Sequence, residues 1–435
     1  MINSIKDIVD NDLCTGCGIC ISESKTCEMT WNENGFLVPK LDGSFNKNAI
    51  RLCPFNPNPE NDVKDEDRLA NLFLNETDNA NERIGKYKNT FVGYSNKFRE
   101  TSSSGGIATF VFEQLLEKKI TDHLFIVKEL NGMYAYQWFN KVEQITNISK
   151  TRYIPVTLEN LFKEIDEKEG KVGVSGVACF IKAIRLKQYY NPKYKEKISF
   201  LVGIICGGLK SRFFTDYLAQ KSGIKTTYSK QEYRIKDSKS SASDYSFGAF
   251  SANDQFYQIK MRKVGDMWGT GFFKANACDF CNDVTTELAD ISLGDAWLDE
   301  YRSDGLGNSI VITRSKIADS IIQDGIKKEQ LNLKPLSPEK VYQSQKGGFT
   351  HRQDTLKIRV DILRRKRKIV PQQRERFFKK SNLSLIVVQY ARRITRKQSI
   401  LLWKKHKSSK LFDKAMRNYL RLLSIVTRVN HKLRK

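Results

Sequence analysis

Four cysteines near the N-terminus have a spacing that is typical of ligands to a metal–sulfur cluster. Cys14, Cys17 and Cys20 stand at consecutive three-residue steps, and Cys53 follows at a distance with Pro54 directly after it. A C-x2-C-x2-C run wraps three corners of an iron–sulfur cube, and a remote Cys-Pro supplies the fourth ligand. Zinc ribbons instead pair two separate C-x2-C knuckles, which makes zinc the weaker interpretation. The spacing therefore predicts one 4Fe–4S cluster on these four cysteines.

A second set of cysteines is scattered over the middle of the chain. Cys278 and Cys281 form a C-x2-C pair, while Cys179 and Cys206 stand alone, each close to glycine. Cys179 follows an apolar, strand-like segment and Cys206 ends another, and ligands of an open α/β sheet gather at the carboxyl ends of its strands. Such cysteines also occur as small buried hydrophobic residues, and spacing alone does not separate the two interpretations. Since the pair needs two partners, we predict a second four-thiolate cluster site on Cys179, Cys206, Cys278 and Cys281.

Cys27 completes the nine cysteines of the chain and lies outside both sets. Six residues separate it from Cys20, where a two-cluster ferredoxin has three, so one cluster is expected in this region. Cys27 is then a core thiol or, as an alternative, a replacement for Cys53. The segment from Met1 to Asp7 is polar and lacks the apolar stretch of a signal peptide. We therefore predict a cytoplasmic protein, in which C-x2-C pairs bind metal more often than they form disulfides.

A serine- and glycine-rich turn, Ser102-Ser-Ser-Gly-Gly106, joins a predicted strand to a predicted helix. Glycines let a ligand approach the backbone, and the N-terminus of a helix attracts phosphate. An ordinary helix cap has a similar composition, because serine is a favoured capping residue. Beside one-electron carriers, however, we expect a cofactor that exchanges two electrons, as a flavin does. Candidate contacts of FAD or FMN are therefore Ser103, Ser104, Gly105 and Gly106.

The segments between these motifs alternate between strand-like and helical patterns. Apolar strands are predicted at 91–94, 123–128, 171–175, 198–206, 289–293 and 309–313, and helices at 107–118, from 178 and at 213–221. This alternation is typical of an α/β domain with an at least partly parallel sheet. Residues 226–262 break the rhythm and predict antiparallel strands or an inserted lobe, whereas residues 56–88 resemble a linker with some helix. The predicted fold class is α/β or α+β, with a mixed sheet in the core.

Nearly all of the net charge of +25 lies in residues 351–435. This segment holds 27 lysines and arginines against four acidic residues, whereas the rest of the chain holds 47 against 45. Its apolar residues recur at helical spacing in two sets, one from Leu383 to Leu401 and one from Phe412 to Leu433. No apolar run approaches the ~18 residues of a membrane-spanning helix. The pattern predicts basic amphipathic helices, for which we favour an anionic membrane surface, then a partner or the protein core, and nucleic acid last.

Taken in order, these motifs resemble those of the family of beta subunits of coenzyme F420 hydrogenases and dehydrogenases. The matching segments are Cys-Thr-Gly-Cys-Gly-Ile-Cys (14–20), Gly35-Phe-Leu-Val-Pro39, Cys53-Pro-Phe, Thr-Ser-Ser-Ser-Gly-Gly (101–106), Ser175-Gly-Val-Ala-Cys179, Cys206-Gly-Gly, Cys278-Asp-Phe-Cys281 and Ala289-Asp-Ile-Ser-Leu-Gly-Asp-Ala-Trp297. The resemblance covers about residues 10–350 and leaves the basic C-terminal segment outside it. Before Cys179 the chain has alanine where the family commonly has proline, which predicts a different local turn.

The resemblance implies an iron–sulfur flavoprotein that oxidises or reduces a deazaflavin. It also implies that the Ser-Gly-Gly segment lies near the flavin and that the four later cysteines hold a cluster. Further candidates for flavin or substrate contacts are Lys274 and Asp295, because they neighbour the second cysteine set in sequence. The expected redox partner is another protein, a deazaflavin or a nicotinamide. Bacterial members of the family look like parts of polysaccharide-building pathways, and the basic C-terminal segment favours that branch.

Four regions are predicted: a ferredoxin-like 4Fe–4S domain at 1–60, an N-terminal-type beta subunit region at 85–165, a C-terminal-type domain with the second cluster at 166–350, and a basic helical tail at 351–435. We therefore predict an oxidoreductase that passes electrons between a flavin and two 4Fe–4S clusters, peripheral to the inner face of the cytoplasmic membrane, in exopolysaccharide or capsule synthesis. The alternative is a non-catalytic, metal-stabilised adaptor in a membrane-associated envelope-assembly complex. Bound flavin that bleaches reversibly would separate the two.

Overall fold

Strands and helices alternate along most of the chain in the computed structural model, which describes residues 4–24, 26–41, 45, 47–130, 133–148, 150–380 and 382–433. The strands are β1 Met29–Trp31, β2 Leu37–Pro39, β3 Asn79–Asn81, β4 Gly85–Tyr87, β5 Asn89–Ser95, β6 His123–Leu130, β7 Met133–Phe139, β8 Val172–Val177, β9 Ile198–Ile204, β10 Tyr228–Ile235, β11 Ser246–Ser251, β12 Phe256–Lys260, β13 Ile291–Asp295, β14 Ser309–Thr313 and β15 Leu331–Pro335. The α-helices are α1 Ile5–Asp10, α2 Glu66–Phe73, α3 Ile107–Glu117, α4 Leu161–Glu164, α5 Ala178–Tyr190, α6 Lys193–Lys197, α7 Phe213–Ser222, α8 Met261–Val264, α9 Lys316–Lys327, α10 Pro338–Ser344, α11 Lys346–Phe349, α12 Leu356–Arg365, α13 Leu383–His406 and α14 Ser409–Lys432.

The core is a sheet of eight strands in the order β15-β5-β14-β13-β9-β8-β6-β7. The pairs β13–β9, β9–β8 and β8–β6 are parallel, and the remaining pairs are antiparallel. Parallel neighbours require a crossover connection, which α5 and α6 provide between β8 and β9. This arrangement confirms the predicted mixed-sheet α/β core.

Helices cover both faces of the sheet, because successive strand residues point to opposite sides. On one face Val174 and Leu201 belong to a buried cluster with Phe180 of α5. On the other face Val202 and Ile126 belong to a second cluster, to which α3 and α9 contribute. Strands covered on both sides read as nearly continuous apolar runs, which is why their positions could be predicted from the sequence.

Residues 226–262 form a separate antiparallel sheet of three strands, β10-β11-β12, as predicted. The end of β9 differs from the prediction in a way that concerns the site, since β9 ends at Ile204 and Cys206 lies in the turn beyond it. The stretch at 56–88 contains the predicted helix, α2, and in addition the hairpin β3–β4. Its Leu69 is fully buried, so this stretch packs on the core where a linker was predicted.

The C-terminal helices α13 and α14 pack against the three-stranded sheet and α7. Trp403 and Phe412 share a buried cluster with Tyr217 and Phe273, and the Phe412 and Phe273 rings stack with their centroids 5.3 Å apart. Of the predicted second apolar set, Phe412, Met416 and Leu423 are buried, whereas Val429 and Leu433 are exposed. Within the described part of the chain, no helix has both the length and the apolar character needed to cross a membrane.

Candidate cofactor-binding site

The first cysteine set spans two segments of the chain. Cys14 and Cys17 lie in the loop that follows α1, Cys20 belongs to the 3-10 helix Ile19–Glu23, and Cys53 directly follows the 3-10 helix Lys47–Leu52. Gly16 and Gly18 have φ angles of +71° and +76°, a region that favours glycine, and the chain turns sharply around both. Burial raises the pKa of Cys20 well above its usual value, and the charges of Cys17, Cys14 and Cys53 raise it further. The four thiols are therefore close enough to interact electrostatically.

Cys27 is also buried, and its N–H donates to Ser24 Oγ at 3.0 Å. Its role, as a core thiol or as a ligand in place of Cys53, stays a prediction.

The second cysteine set comes together at the carboxyl end of the parallel strands. Cys179 is the second residue of α5, Cys206 follows β9, and Cys278 and Cys281 belong to the turn around the short 3-10 helix Asn276–Phe280. Burial raises the pKa of Cys179, and the charges of Cys281, Cys278, Cys17 and Cys206 add to the effect. The structure thus brings the four later cysteines together and also brings Cys17 of the first set into their neighbourhood.

The donor groups around these sulfurs fit thiolate ligands of a metal cluster. Cys206 Sγ accepts the Gly208 N–H at 3.3 Å, Cys278 Sγ accepts the Leu209 N–H at 3.2 Å, and Arg352 lies 3.5 Å from Cys281 Sγ. Hydrogen bonds to the ligand sulfurs are one means by which proteins tune iron–sulfur clusters.

Among the described residues, no three His, Cys, Asp or Glu side chains are grouped so that they could hold one metal ion.

A cavity of about 1110 Å³ lies beside the second cysteine set. Cys206 is part of its wall, together with several residues predicted to contact a cofactor: Ser103, Ser104, Gly106, Lys274 and Asp295. The predicted residue Gly105 lies behind the wall, where its N–H donates to Ser309 Oγ at 3.1 Å. Residues from an earlier segment of the chain (103–106) and from a later one (206–295) thus surround one cavity.

The serines of the Ser-Gly-Gly turn are engaged within the protein. Ser103 Oγ accepts the Thr151 N–H at 2.8 Å, and Ser104 Oγ donates to the Asn308 carbonyl at 3.0 Å. A Cβ at Gly105 would lie 2.5 Å from the Gly93 carbonyl oxygen, so packing against β5 by itself requires glycine. The turn therefore forms a rigid wall, and its glycines are explained without a ligand.

Lys274 and Asp295 each have an ionic partner in the wall. Lys274 Nζ is 2.8 Å from Asp279 Oδ1 and 2.9 Å from His351 Nε2, while Asp295 pairs with Arg234. Burial lowers the pKa of Lys274, although the charge of Asp279 opposes that effect. Both predicted residues lie at the cavity, but within fixed pairs.

Aromatic and basic residues that the sequence analysis did not single out complete the wall. The rings of Tyr153 and Trp268 meet edge to face with centroids 5.0 Å apart. Arg152, Arg234 and Arg392 each have a buried Nε without a hydrogen-bond partner among the described residues. Among the described residues, the wall of the cavity contains ten lysines and arginines and four aspartates. The cavity is therefore suited to an anionic ligand with a flat aromatic ring.

Two family models match the chain. The model for the N-terminal part of the coenzyme F420 hydrogenase/dehydrogenase beta subunit matches residues 90–163, and the model for the C-terminus of that subunit matches residues 169–339. Together they cover more than half of the chain, and both end before residue 351.

Three curated proteins are similar to this chain. Coenzyme F420-dependent sulfite reductase of Methanocaldococcus jannaschii is 22% identical over 76% of this chain and 49% of its own length. A subunit of the F420H2 dehydrogenase of Methanosarcina mazei is 21% identical over 67% of this chain and 77% of its own length. The beta subunit of the coenzyme F420 hydrogenase of Methanosarcina barkeri is 25% identical over 60% of this chain and 91% of its own length. The chain thus spans about half the length of the sulfite reductase.

A solved structure with a similar fold belongs to the F420-reducing NiFe hydrogenase complex from Methanosarcina barkeri. The TM-score is 0.50 at 21% sequence identity, and the likeness covers 65% of this chain and 96% of that chain. At this identity the likeness concerns the fold alone.

Proposed function

Because this chain belongs to the family of coenzyme F420 hydrogenase/dehydrogenase beta subunits, we propose that it is an oxidoreductase that passes electrons between a flavin and two 4Fe–4S clusters. The observation that carries the proposal is that the second cysteine set neighbours both the cavity and the first cysteine set. Cys206 lines the cavity, and the charge of Cys17 acts on Cys179 of the second set. When bound, the flavin would supply two-electron chemistry and the clusters one-electron chemistry.

Each proposed cofactor has a set of residues suited to hold it. Cys14, Cys17, Cys20 and Cys53 would ligate one cluster, and Cys179, Cys206, Cys278 and Cys281 the other. The flavin, FAD or FMN, would lie in the cavity, where Tyr153 and Trp268 offer aromatic surface and Arg152 offers an unpaired N–H. Ser103, Ser104, Gly106, Lys274 and Asp295 would shape the site from the wall, with Gly105 behind them.

Analysis of the bound cofactors tests this function directly. The full chain, purified without oxygen, should contain about eight irons, matching sulfide and one flavin, and its visible absorbance should bleach reversibly on reduction. Reduction by deazaflavin and by nicotinamide would then be compared to identify the donor. Zinc without sulfide or flavin would contradict the proposal and leave the metal-stabilised adaptor.

A second candidate role, attachment to an anionic membrane surface, is favoured by the outer face of α14. Leu422, Ile425 and Val429 are about half exposed and stand at helical spacing with Leu411 and Leu433. Exposed basic residues flank this stripe, among them Arg417, Arg421, Arg428 and Lys432. An apolar stripe with basic flanks is typical of helices that lie in an anionic lipid interface. Such attachment, at the inner face of the cytoplasmic membrane, would suit a role in exopolysaccharide or capsule synthesis.

We expect Ile425→Glu to weaken binding to vesicles that contain phosphatidylserine by about tenfold, because a carboxylate replaces an apolar side chain that enters the interface. Co-sedimentation of the full chain measures this. Ile317→Glu on α9 is the matched control, since Ile317 is 45% exposed and Ile425 50%. Equal binding of both variants and the wild type, or equal binding to neutral vesicles, would contradict the membrane role.

A further inference from the structure

Helix α13 has an unusual distribution of side chains. Its arginines Arg392, Arg393 and Arg396, with Gln389, share one face and line the cavity. The opposite face exposes apolar side chains to the surroundings: Leu383, Val387, Tyr390, Ile394 and Leu401. A surface helix normally turns its charged face to water, because burying a charge without a partner is costly. The arginine face of α13 therefore needs a compensating negative charge in the cavity.

The protein itself supplies little of that charge. Asp279, a buried carboxylate beside this face, already contacts Lys274 at 2.8 Å, His351 at 3.3 Å and Arg396 at 3.1 Å. The exposed Asp266 also lines the cavity and acts on Arg392 through its charge, without an ion-pair contact. Neither Arg392 nor Arg393 forms an ion pair within the described residues, and Arg392 Nε has no hydrogen-bond partner there. Asp279 thus holds Arg396 in place, whereas Arg392 and Arg393 have no ion-pair partner among the described residues.

Further positive charge lies directly behind the arginine face. Arg359 is fully buried, and its side chain donates to the Asp279 carbonyl and, at 2.9 Å, to Gln389 Oε1. Burial lowers the pKa of Arg359 to about 10, and the charges of Arg392, Arg352 and Arg393 contribute, although Asp279 opposes them. Arg359 and Arg352 are buried, and Arg392 and Arg393 are half-buried beside them. An anion bound in the cavity would stabilise these mutually repelling cations.

We propose that Arg392 and Arg393, positioned with Arg396 on α13, bind a phosphate group of the redox ligand in the cavity. Guanidinium groups bind phosphate through paired, charge-assisted hydrogen bonds. A phosphomonoester or a pyrophosphate bridge carries about two negative charges, enough to compensate two arginines. This inference rests on the proposed function for the identity of the ligand. The phosphate belongs either to a flavin dinucleotide or to a separately bound electron donor.

The size of the cavity is consistent with either source. Its volume of about 1110 Å³ exceeds the roughly 300–1,000 Å³ of an ordinary small-molecule site. The arginines lie outside both family models, the later of which ends at residue 339. The C-terminal segment would thus contribute ligand recognition to a core that the family shares.

Pyrophosphate is the probe for this subsite, measured by titration calorimetry on the full, anaerobically purified chain. We expect Arg392→Gln/Arg393→Gln to weaken pyrophosphate binding about 10- to 100-fold at low salt, as two charge-assisted contacts are lost. The matched control is Arg365→Gln/Arg367→Gln, which removes the same charge from exposed positions at and just after the end of α12 and should leave the affinity unchanged. Circular dichroism and iron content verify that each variant is folded.

The two sources of the phosphate are separated by comparing protein with and without bound flavin. Pyrophosphate binding only after flavin removal assigns the arginines to the flavin, and binding in both forms assigns them to the donor. If the glutamine variant does not fold, Arg392→Lys/Arg393→Lys keeps the charge, loses the forked contacts and should still bind several-fold more weakly.

Equal pyrophosphate affinity in the flavin-free wild type and the flavin-free, folded arginine variant would overturn the proposal. Because this readout needs neither iron nor turnover, it is independent of the cofactor analysis that tests the proposed function. A chain without flavin or clusters would refute that function, and the pyrophosphate titration would still decide whether the arginines form an anion site.

Discussion

A Cys278→Ser variant is expected to lose the second cluster and, with it, electron transfer between the cavity and the N-terminal cysteine set. Iron should fall from about eight to about four per chain, because a serine hydroxyl is a poor ligand for this cluster type. Flavin should remain bound, since Cys278 is not part of the cavity wall within the described residues. Transfer from reduced flavin to an external acceptor should slow by at least about 100-fold. Loss of a group that merely hydrogen-bonds to a metal ligand already costs up to about 100-fold, and loss of the ligand itself should cost more.

The control for this variant is Cys27→Ser. Cys27 is 3% exposed and Cys278 6%, so both substitutions replace a buried thiol with a hydroxyl of similar size. We expect Cys27→Ser to keep about eight irons and the wild-type transfer rate. Iron analysis and anaerobic stopped-flow reduction measure the two quantities. Full iron content in Cys278→Ser would refute the second cluster, and loss of four irons in Cys27→Ser would make that cysteine a ligand in place of Cys53.

The sheet could be predicted from the sequence because its strands are short apolar runs separated by turns. The runs at 91–94 and 309–313 lie in β5 and β14, and the helix predicted at 107–118 is α3. The alternation also indicated parallel strands. The antiparallel edge β7 forms a hairpin with the preceding strand β6, whereas the other edge, β15, pairs with the distant β5. Strand order of that kind is set by tertiary packing and leaves no local pattern.

The cavity was predictable only in part. The cysteine motifs and the Ser-Gly-Gly turn carry spacing signals, and residues of these motifs meet around one cavity. Arg392 and Arg393 have no distinctive spacing, because they are two of the 27 basic residues of a C-terminal segment in which basic residues occur throughout. One weak indication is present in the sequence: Arg392 and Arg393 share a helical face with Gln389, opposite the apolar face that begins at Leu383. Only the tertiary structure distinguishes arginines that face a cavity from arginines that face water.

The segment at 351–380 is joined to the second cysteine turn by a buried ionic network centred on Arg374. This guanidinium is 1% exposed and binds both carboxylate oxygens of Glu287, at 2.7 and 2.9 Å. It also contacts Asp67 at 3.1 Å and Asn282 at 2.9 Å, which ties the C-terminal segment to α2 and to the turn that follows Cys281.

Acid should weaken this network through Glu66. Burial by itself would raise the pKa of Glu66, but the charges of Lys182 and Arg374 lower it to about 2. A carboxylate whose pKa is lowered in the folded state stabilises the protein above its ordinary pKa of 4.5, and this contribution is lost as the pH falls toward 2. Without Arg374 that pKa should rise, so the acid unfolding midpoint should move to higher pH.

We expect Arg374→Ala to lower the free energy of unfolding by about 3–5 kcal/mol, because Glu287 would be left buried and without its bidentate partner. Urea unfolding of anaerobic protein, followed by circular dichroism, measures the loss. The exposed Arg365→Ala on α12 is the matched control and should change stability by less than about 0.5 kcal/mol.

A double variant separates the loss of the ion pair from the cost of the charge left behind. In Arg374→Met/Glu287→Gln neither charge of the bidentate pair remains, so most of the instability of Arg374→Ala should be recovered if an unpaired Glu287 causes it. If the double variant is as unstable as Arg374→Ala, the loss arises instead from the contacts to Asp67 and Asn282. In that case Arg374 stabilises the fold chiefly as the anchor of the C-terminal segment, and the arginine face of α13 would depend on it for its position at the cavity.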